Sequence, residues 1–169
     1  KSLNTGAVFA QQTIGNKVFW DYLNKFGFFQ KTNIDLMGEV YSKNELLKNG
    51  PDFNYATASF GQGIGITPIQ LAKAYSALAN GGKLVKPYLV EKIISNGNEI
   101  YTKPEISYPV ISQQAISDIN SMLVSVIEKG YPKIAKIPGY YLAGKTGTAQ
   151  IPLENGRGYE PDSETVQSF

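Results

Sequence analysis

The sequence predicts an α+β domain in which an antiparallel sheet packs against helices, and three observations carry that prediction. Apolar residues recur with helical spacing over three segments, Thr5 to Phe26, Pro68 to Asn80 and Ser112 to Lys129. Short strand-like runs lie elsewhere, one pair joined by Asn96-Gly97, the dipeptide of a tight hairpin turn. Helices and hairpins segregate along the chain without βαβ alternation, which argues against a parallel sheet.

In chain order, Val8, Phe9, Val18, Phe19, Tyr22, Leu23 and Phe26 give the first helical region its apolar face, with a break at Gly15-Asn16 and a stop at Gly27. Phe28 to Ser59 is irregular, interrupted by Gly38 and Gly50-Pro51, and reads as surface loop with room for one short helix around Lys43 to Lys48. The next helix is the best signalled. Thr67 stands at the N-cap, Pro68 at the first helical position, and Gln70 completes a capping box. Leu71, Ala74, Tyr75, Leu78 and Ala79 form its buried stripe, and Gly81-Gly82 ends it in the left-handed conformation. Leu84 to Ser95 and Asn98 to Tyr101 read as the two strands of a hairpin. Ser112 opens the last long helix, with Ile116, Ile119, Leu123, Val126 and Ile127 on one face and Gly130 as its stop. Tyr140 to Ile151 reads as a strand whose Gly144 and Gly147 let something approach the backbone, and 164–169 as the opening of another. Phe19, Trp20 and Phe26 are expected in the core; Tyr131, Tyr140 and Tyr141 could line a cleft or pack; Glu39 suggests no role.

Composition narrows the chemistry. With 169 residues, 42% hydrophobic and 18% charged, the chain suits one globular domain with a real core. A net charge of +2 gives no case for nucleic acid or an anionic membrane as partner. There is no Cys and no His, so disulfides, thiol nucleophiles, imidazole bases and most zinc sites are excluded. Catalysis would run on Ser, Thr, Tyr, Lys, Asp or Glu, and no metal or cofactor is expected. No signal peptide or apolar run of membrane-spanning length is present, and both ends, Lys1 and Phe169, read as cut.

Four motifs need sorting. Gly61, Gly63 and Gly65 resemble a dinucleotide fingerprint, but Ile66 stands where Gly or Ala is needed, so a tight turn into the Thr67 cap is the better reading. Gly139 to Thr146 matches the phosphate-loop pattern G-x-x-x-x-G-K-[ST], which needs a helix starting at the lysine; Gly147 and Pro152 oppose one, leaving a nucleotide-binding loop as a distant alternative. Read as strand instead, Lys145 and Gly147 share one face and Thr146 and Thr148 the other, offering a cation for a substrate carboxylate or oxyanion beside a bare stretch of backbone. Ser2-Leu3-Asn4 is weak alone, reads equally as a helix cap, and has a second copy at Ser42-Lys43-Asn44.

Together, Ser2-Leu3-Asn4, the run Gly61 to Ala72, Ala79-Asn80-Gly81-Gly82 and the run Ala143 to Gln150 resemble the transpeptidase domain of class B penicillin-binding proteins, over nearly the whole chain. The resemblance implies the penicillin-binding/serine β-lactamase-like fold, incomplete in this piece. It also implies a membrane-anchored enzyme on the extracytoplasmic face of the bacterial cytoplasmic membrane, serving cell division or cell shape. Such an enzyme cross-links peptidoglycan by serine acyl transfer from D-Ala-D-Ala stem peptides and is acylated by β-lactam antibiotics; a glycosyltransferase of the cell-wall machinery is an implied partner. By the same resemblance Ser2 relays a proton at the leaving amine, and Asn4 hydrogen-bonds the substrate backbone. Lys145 sets the field around Ser2 and the substrate carboxylate. Thr146, Gly147 and Thr148 are the implied substrate-binding residues: Thr146 mainly supports the triplet, and Thr148 binds the carboxylate and supplies an oxyanion-hole amide.

One departure matters. No Ser has a Lys three residues later, so the family's S-x-x-K nucleophile is absent from these residues. The expectation is a C-terminal part of the catalytic domain that is inactive alone. A non-catalytic sensor or pseudo-enzyme, and a serine β-lactamase or carboxypeptidase of the same fold, are the competing readings. The Gly61 to Ala72 run and Ala149-Gln150 favour the cross-linking enzymes.

Overall fold

The computed structural model describes residues 2–130, 136–153, 158–160 and 165–168; Tyr131 and the ends of the predicted closing strand, Glu164 and Phe169, lie outside them. The first helical region is two helices, α1 (Asn4–Ile14) and α2 (Asn16–Lys25). Gly15 separates them at φ 81°, a conformation only glycine adopts at low cost. Buried Gln11 donates to Asn16 Oδ1 at 2.8 Å, and Asn16 donates to Asp52 Oδ1 at 2.7 Å, so a chain of amides ties α1 and α2 to α4 (Asp52–Ala58).

The segment expected to be surface loop is where this core forms. Leu47, in α3 (Glu45–Lys48), is buried with Tyr55 and Ala58 of α4, and Phe19, Trp20, Leu23, Phe29 and Ile64 pack around them. Trp20 stacks on Phe29 with ring centroids 4.0 Å apart. The short helix expected around Lys43 to Lys48 is α3; α4, seven residues long, is too short to display a clear 3.6-residue period, and the sequence pattern hides it. The predicted apolar face of the first region is corrected in the same way. Phe9 is 72% exposed, and Val18 and Tyr22 are exposed, while Phe19, Trp20 and Leu23 make the contact.

The turn at 32–39 is built by side chains. Glu39 accepts from the Thr32 amide and hydroxyl, both at 2.6 Å, and from the Asn33 amide at 3.0 Å. Burial alone would raise the Glu39 carboxyl, but these hydrogen bonds and nearby Lys31 outweigh it and hold it below the usual carboxylate range.

Helices α5 (Pro68–Ala79) and α6 (Gln113–Lys129) form as expected. Ser112 caps α6 by accepting from the Ala115 amide at 3.2 Å. Gly82, at φ 82°, sits where a Cβ would lie 2.7 Å from the Ile111 carbonyl oxygen, so only glycine lets the end of α5 meet the start of α6.

The strands pair antiparallel in three two-stranded sheets among the described residues. The predicted run Leu84 to Ser95 is two strands. β1 (Lys83–Val85) pairs with β4 (Ile106–Pro109), and β2 (Lys92–Ser95) pairs with β3 (Asn98–Tyr101) across Asn96-Gly97. Pro87, which has no amide to donate, lies in the gap. The predicted strand Tyr140 to Ile151 contracts to β5 (Gly147–Gln150), which pairs with β6 (Thr165–Ser168). Ahead of Gly147 the backbone turns to other partners, Tyr140 N–H to Ile137 and Gly144 N–H to Leu123, and no ladder can continue there.

Candidate functional site

The glycine run before α5 is a turn, as the tight-turn reading expects. Gly61 and Gly63 have φ of 89° and 68°. Asn44 fixes the end of that turn. Its side-chain amide donates to the Gly65 carbonyl at 3.0 Å, and its Oδ1 accepts from the Gly65 amide at 2.7 Å. The Ser42-Lys43-Asn44 copy of the motif is therefore structural. Asn44 itself is left-handed, at φ 51°, a conformation asparagine tolerates.

The capping box then closes as predicted. The Gln70 amide donates to Thr67 Oγ1 at 3.3 Å, and Gln70 Oε1 accepts from the Thr67 amide at 2.9 Å. The other end of Gln70, 1% exposed, donates to the Gln30 carbonyl at 2.8 Å and the Phe28 carbonyl at 3.2 Å. One buried side chain thus caps α5 and anchors it to the 28–30 backbone.

The face of α5 opposite that anchor, Pro68, Leu71, Ala72 and Tyr75, forms one wall of a cleft of ≈ 460 Å³; Ala143, Gly144, Lys145 and Ser168 form the other. Lys145 is half-buried there, and its ammonium donates to the Thr146 carbonyl at 2.6 Å. Lys145 and Thr146 precede β5 instead of lying in it, which corrects the strand assignment for both. Thr146 and Thr148 are exposed, and Gly147 faces Ser168 in the β5–β6 ladder. A Cβ at Gly147 would lie 2.5 Å from Ser168 Oγ, so what approaches that backbone here is the neighbouring strand's side chain.

No helix starts at Lys145; a strand follows it two residues later, which removes the phosphate-loop reading because there is no helix N-terminus to receive a phosphate. Tyr140 and Tyr141 are exposed, and with Glu128 and Lys136 to Gly139 they line a separate depression.

Ser2 and Asn4 lie at the other end of the described chain. Asn4 is the first residue of α1, Leu3 holds the N-cap position without a side-chain cap, and both Ser2 and Asn4 are exposed. The helix-cap reading of the motif is thereby corrected. Helix α1 packs on α2 and α4, and Lys145 faces α5 across the cleft, with Lys145 and Thr146 leading into Gly147 and Thr148 of β5.

Sequence reasoning missed the clamps at Glu39 and Asn44 and the far end of Gln70. An Asn two residues after Ser, ahead of a glycine-rich run, was the available hint for Asn44.

Comparison with known proteins decides the family. Residues 1–169 match the model of the penicillin binding protein transpeptidase domain. The chain belongs to that family.

Among curated relatives, stage V sporulation protein D of Bacillus subtilis is 38% identical over 152 residues, covering 88% of this chain and 24% of that protein. Penicillin-binding protein PbpB of Mycobacterium tuberculosis is 32% identical over 158 residues, covering 89% and 23%. The chain thus spans about a quarter of the length of these relatives. Among solved structures, penicillin-binding protein 3 of M. tuberculosis complexed with ampicillin matches with a TM-score of 0.83 at 30% identity, covering 96% of this chain and 38% of that one. Penicillin binding protein 2X of Streptococcus thermophilus matches with a TM-score of 0.84 at 29% identity, covering 97% and 25%. The transpeptidase-domain family accounts for the helix-and-hairpin order and for the predicted α+β, penicillin-binding class.

Proposed function

We propose that the protein carrying this chain cross-links peptidoglycan by serine acyl transfer and that these residues supply the lysine-bearing wall of its substrate cleft. A serine outside these residues attacks the penultimate D-Ala carbonyl of a stem peptide. The amide C–N bond breaks, D-alanine leaves with a proton returned to its amine, and a second stem's amine then takes the acyl group and frees the serine. β-Lactams acylate the same serine. Relatives named peptidoglycan D,D-transpeptidase, and solved complexes with ampicillin and aztreonam, support this reading.

The observation that carries it is Lys145-Thr146-Gly147-Thr148 at the mouth of β5, against the α5 wall of the cleft. The Lys145 ammonium, charged and half-buried, favours a carboxylate or developing oxyanion beside it. Exposed Thr148 offers a hydroxyl and a strand amide to the same group, and Thr146 and Gly147 keep the run extended. Ser2 relays the proton to the leaving amine, and Asn4 binds the substrate backbone. Peptidoglycan lies outside the cytoplasmic membrane, so the protein works on that face, and a glycosyltransferase that makes glycan strands is a fitting partner.

The test is intact-mass spectrometry of the whole protein after incubation with benzylpenicillin. One adduct per molecule is expected, with the adduct rate cut by at least about 100-fold in Lys145→Ala, the size expected for loss of a transition-state donor. A folded protein without any adduct would leave a non-catalytic relative as the better account.

A further inference from the structure

Helix α6 makes a hydrogen bond to each wall of the Lys145 cleft. Near the C-terminus of α5, the Leu78 carbonyl accepts from the Asn120 side-chain amide of α6 at 3.1 Å, which satisfies a carbonyl the helix end would leave open. One turn further along α6, the Leu123 carbonyl accepts from the Gly144 amide at 3.5 Å, immediately before Lys145. The Gly82 turn after α5 also lies close to Ile111 and to Ile116 of α6. We propose that Asn120 is a positioning residue that sets the distance between the α5 wall and Lys145, and through it the geometry in which the cleft receives an acyl donor. The proposal rests on the transpeptidase reading above.

Asn120 and Leu123 are three residues apart on one helix, so they lie on the same side and move together. Loss of the Asn120 donor lets α6 shift slightly against α5 about its buried Ile116 and Ile127, and the Gly144 bond carries that shift to Lys145. Acyl transfer depends steeply on such placement, whereas the fold depends on it little, because Ile116 and Ile127 bury α6 independently.

Asn120→Ala and Asn120→Asp, which both remove the donor, are compared with the unsubstituted whole protein and with Ser117→Ala, an exposed α6 control. The first-order acylation rate by benzylpenicillin, its apparent dissociation constant and the unfolding temperature are measured for each. The expected result is a fall of about tenfold in acylation rate in both Asn120 variants, with unfolding temperatures near that of the control. A purely structural role would lower the unfolding temperature and leave the rate per folded molecule unchanged, and that result overturns the proposal. If Asn120→Ala does not fold, Asn120→Gln, which keeps the donor on a longer stem, is expected to show a smaller loss, and an unchanged rate overturns the proposal equally. Absence of any adduct on the unsubstituted protein overturns the transpeptidase reading and this one with it, whereas normal acylation of the variants overturns the positioning role alone.

Discussion

Glu39 shows how much one side chain can organise. Its two carboxylate oxygens receive three donors from Thr32 and Asn33 and hold a left-handed Asn33, φ 59°, in a turn with no regular structure. Because the folded carboxyl titrates below its unfolded value, its stabilisation is fully present above the unfolded glutamate range and is lost as pH falls through the folded one. Glu39→Gln should therefore destabilise the protein by about 1–3 kcal/mol at neutral pH, since an amide N–H would face the Asn33 amide. It should also flatten the acid limb of stability; denaturant titrations from neutral pH downward measure both, and an unchanged acid limb would refute the assignment. Gly147 is the second residue with a sharp expectation. Gly147→Ala drives a methyl to 2.5 Å from Ser168 Oγ and should cost about 1–3 kcal/mol, and adding Ser168→Gly should recover most of it in a double-mutant cycle.

Among the elements, α5 separates what is local from what is not. Its start was readable because Thr67, Pro68 and Gln70 act within four residues of one another. That Gln70 also reaches Phe28 and Gln30, forty residues and more away, was not readable. The consequence is an asymmetry: Thr67→Ala should cost about 1 kcal/mol, as helix caps do. Gln70→Ala should cost about 1–3 kcal/mol beyond that, because two backbone carbonyls lose the buried amide that serves them both. Equal losses in urea unfolding would show that the far contacts carry nothing. The β strands teach the same lesson from the other side. The Asn96-Gly97 turn announces β2 and β3, with Asn96 and Gly97 at φ 51° and 79°, whereas nothing near Lys83 announces its partner β4.

Across the whole molecule, order is unevenly distributed. The α2–α4 cluster and the α5–β1 pair are packed, while both strands of the β2–β3 hairpin, like β4, are exposed along their full length. An isolated two-stranded hairpin is marginal in water, and the exposed Lys92–Glu99 ion pair adds little. Amide hydrogen exchange should accordingly be fastest, among the strands, in Lys92–Tyr101 and slow in α5, and protection of the hairpin equal to that of α5 would contradict this picture. The sequence by itself determined the α+β class, the two capped helices, the hairpin and the family, because caps, turns and short motifs act over a few residues. Tertiary structure alone decided that 28–59 forms core, that the second Ser-x-Asn copy is a backbone clamp, that β5 begins only at Gly147, and that Lys145 faces α5. Each of these depends on partners distant in the chain, whose approach is set by packing and by buried polar groups seeking hydrogen bonds, and no local pattern encodes that.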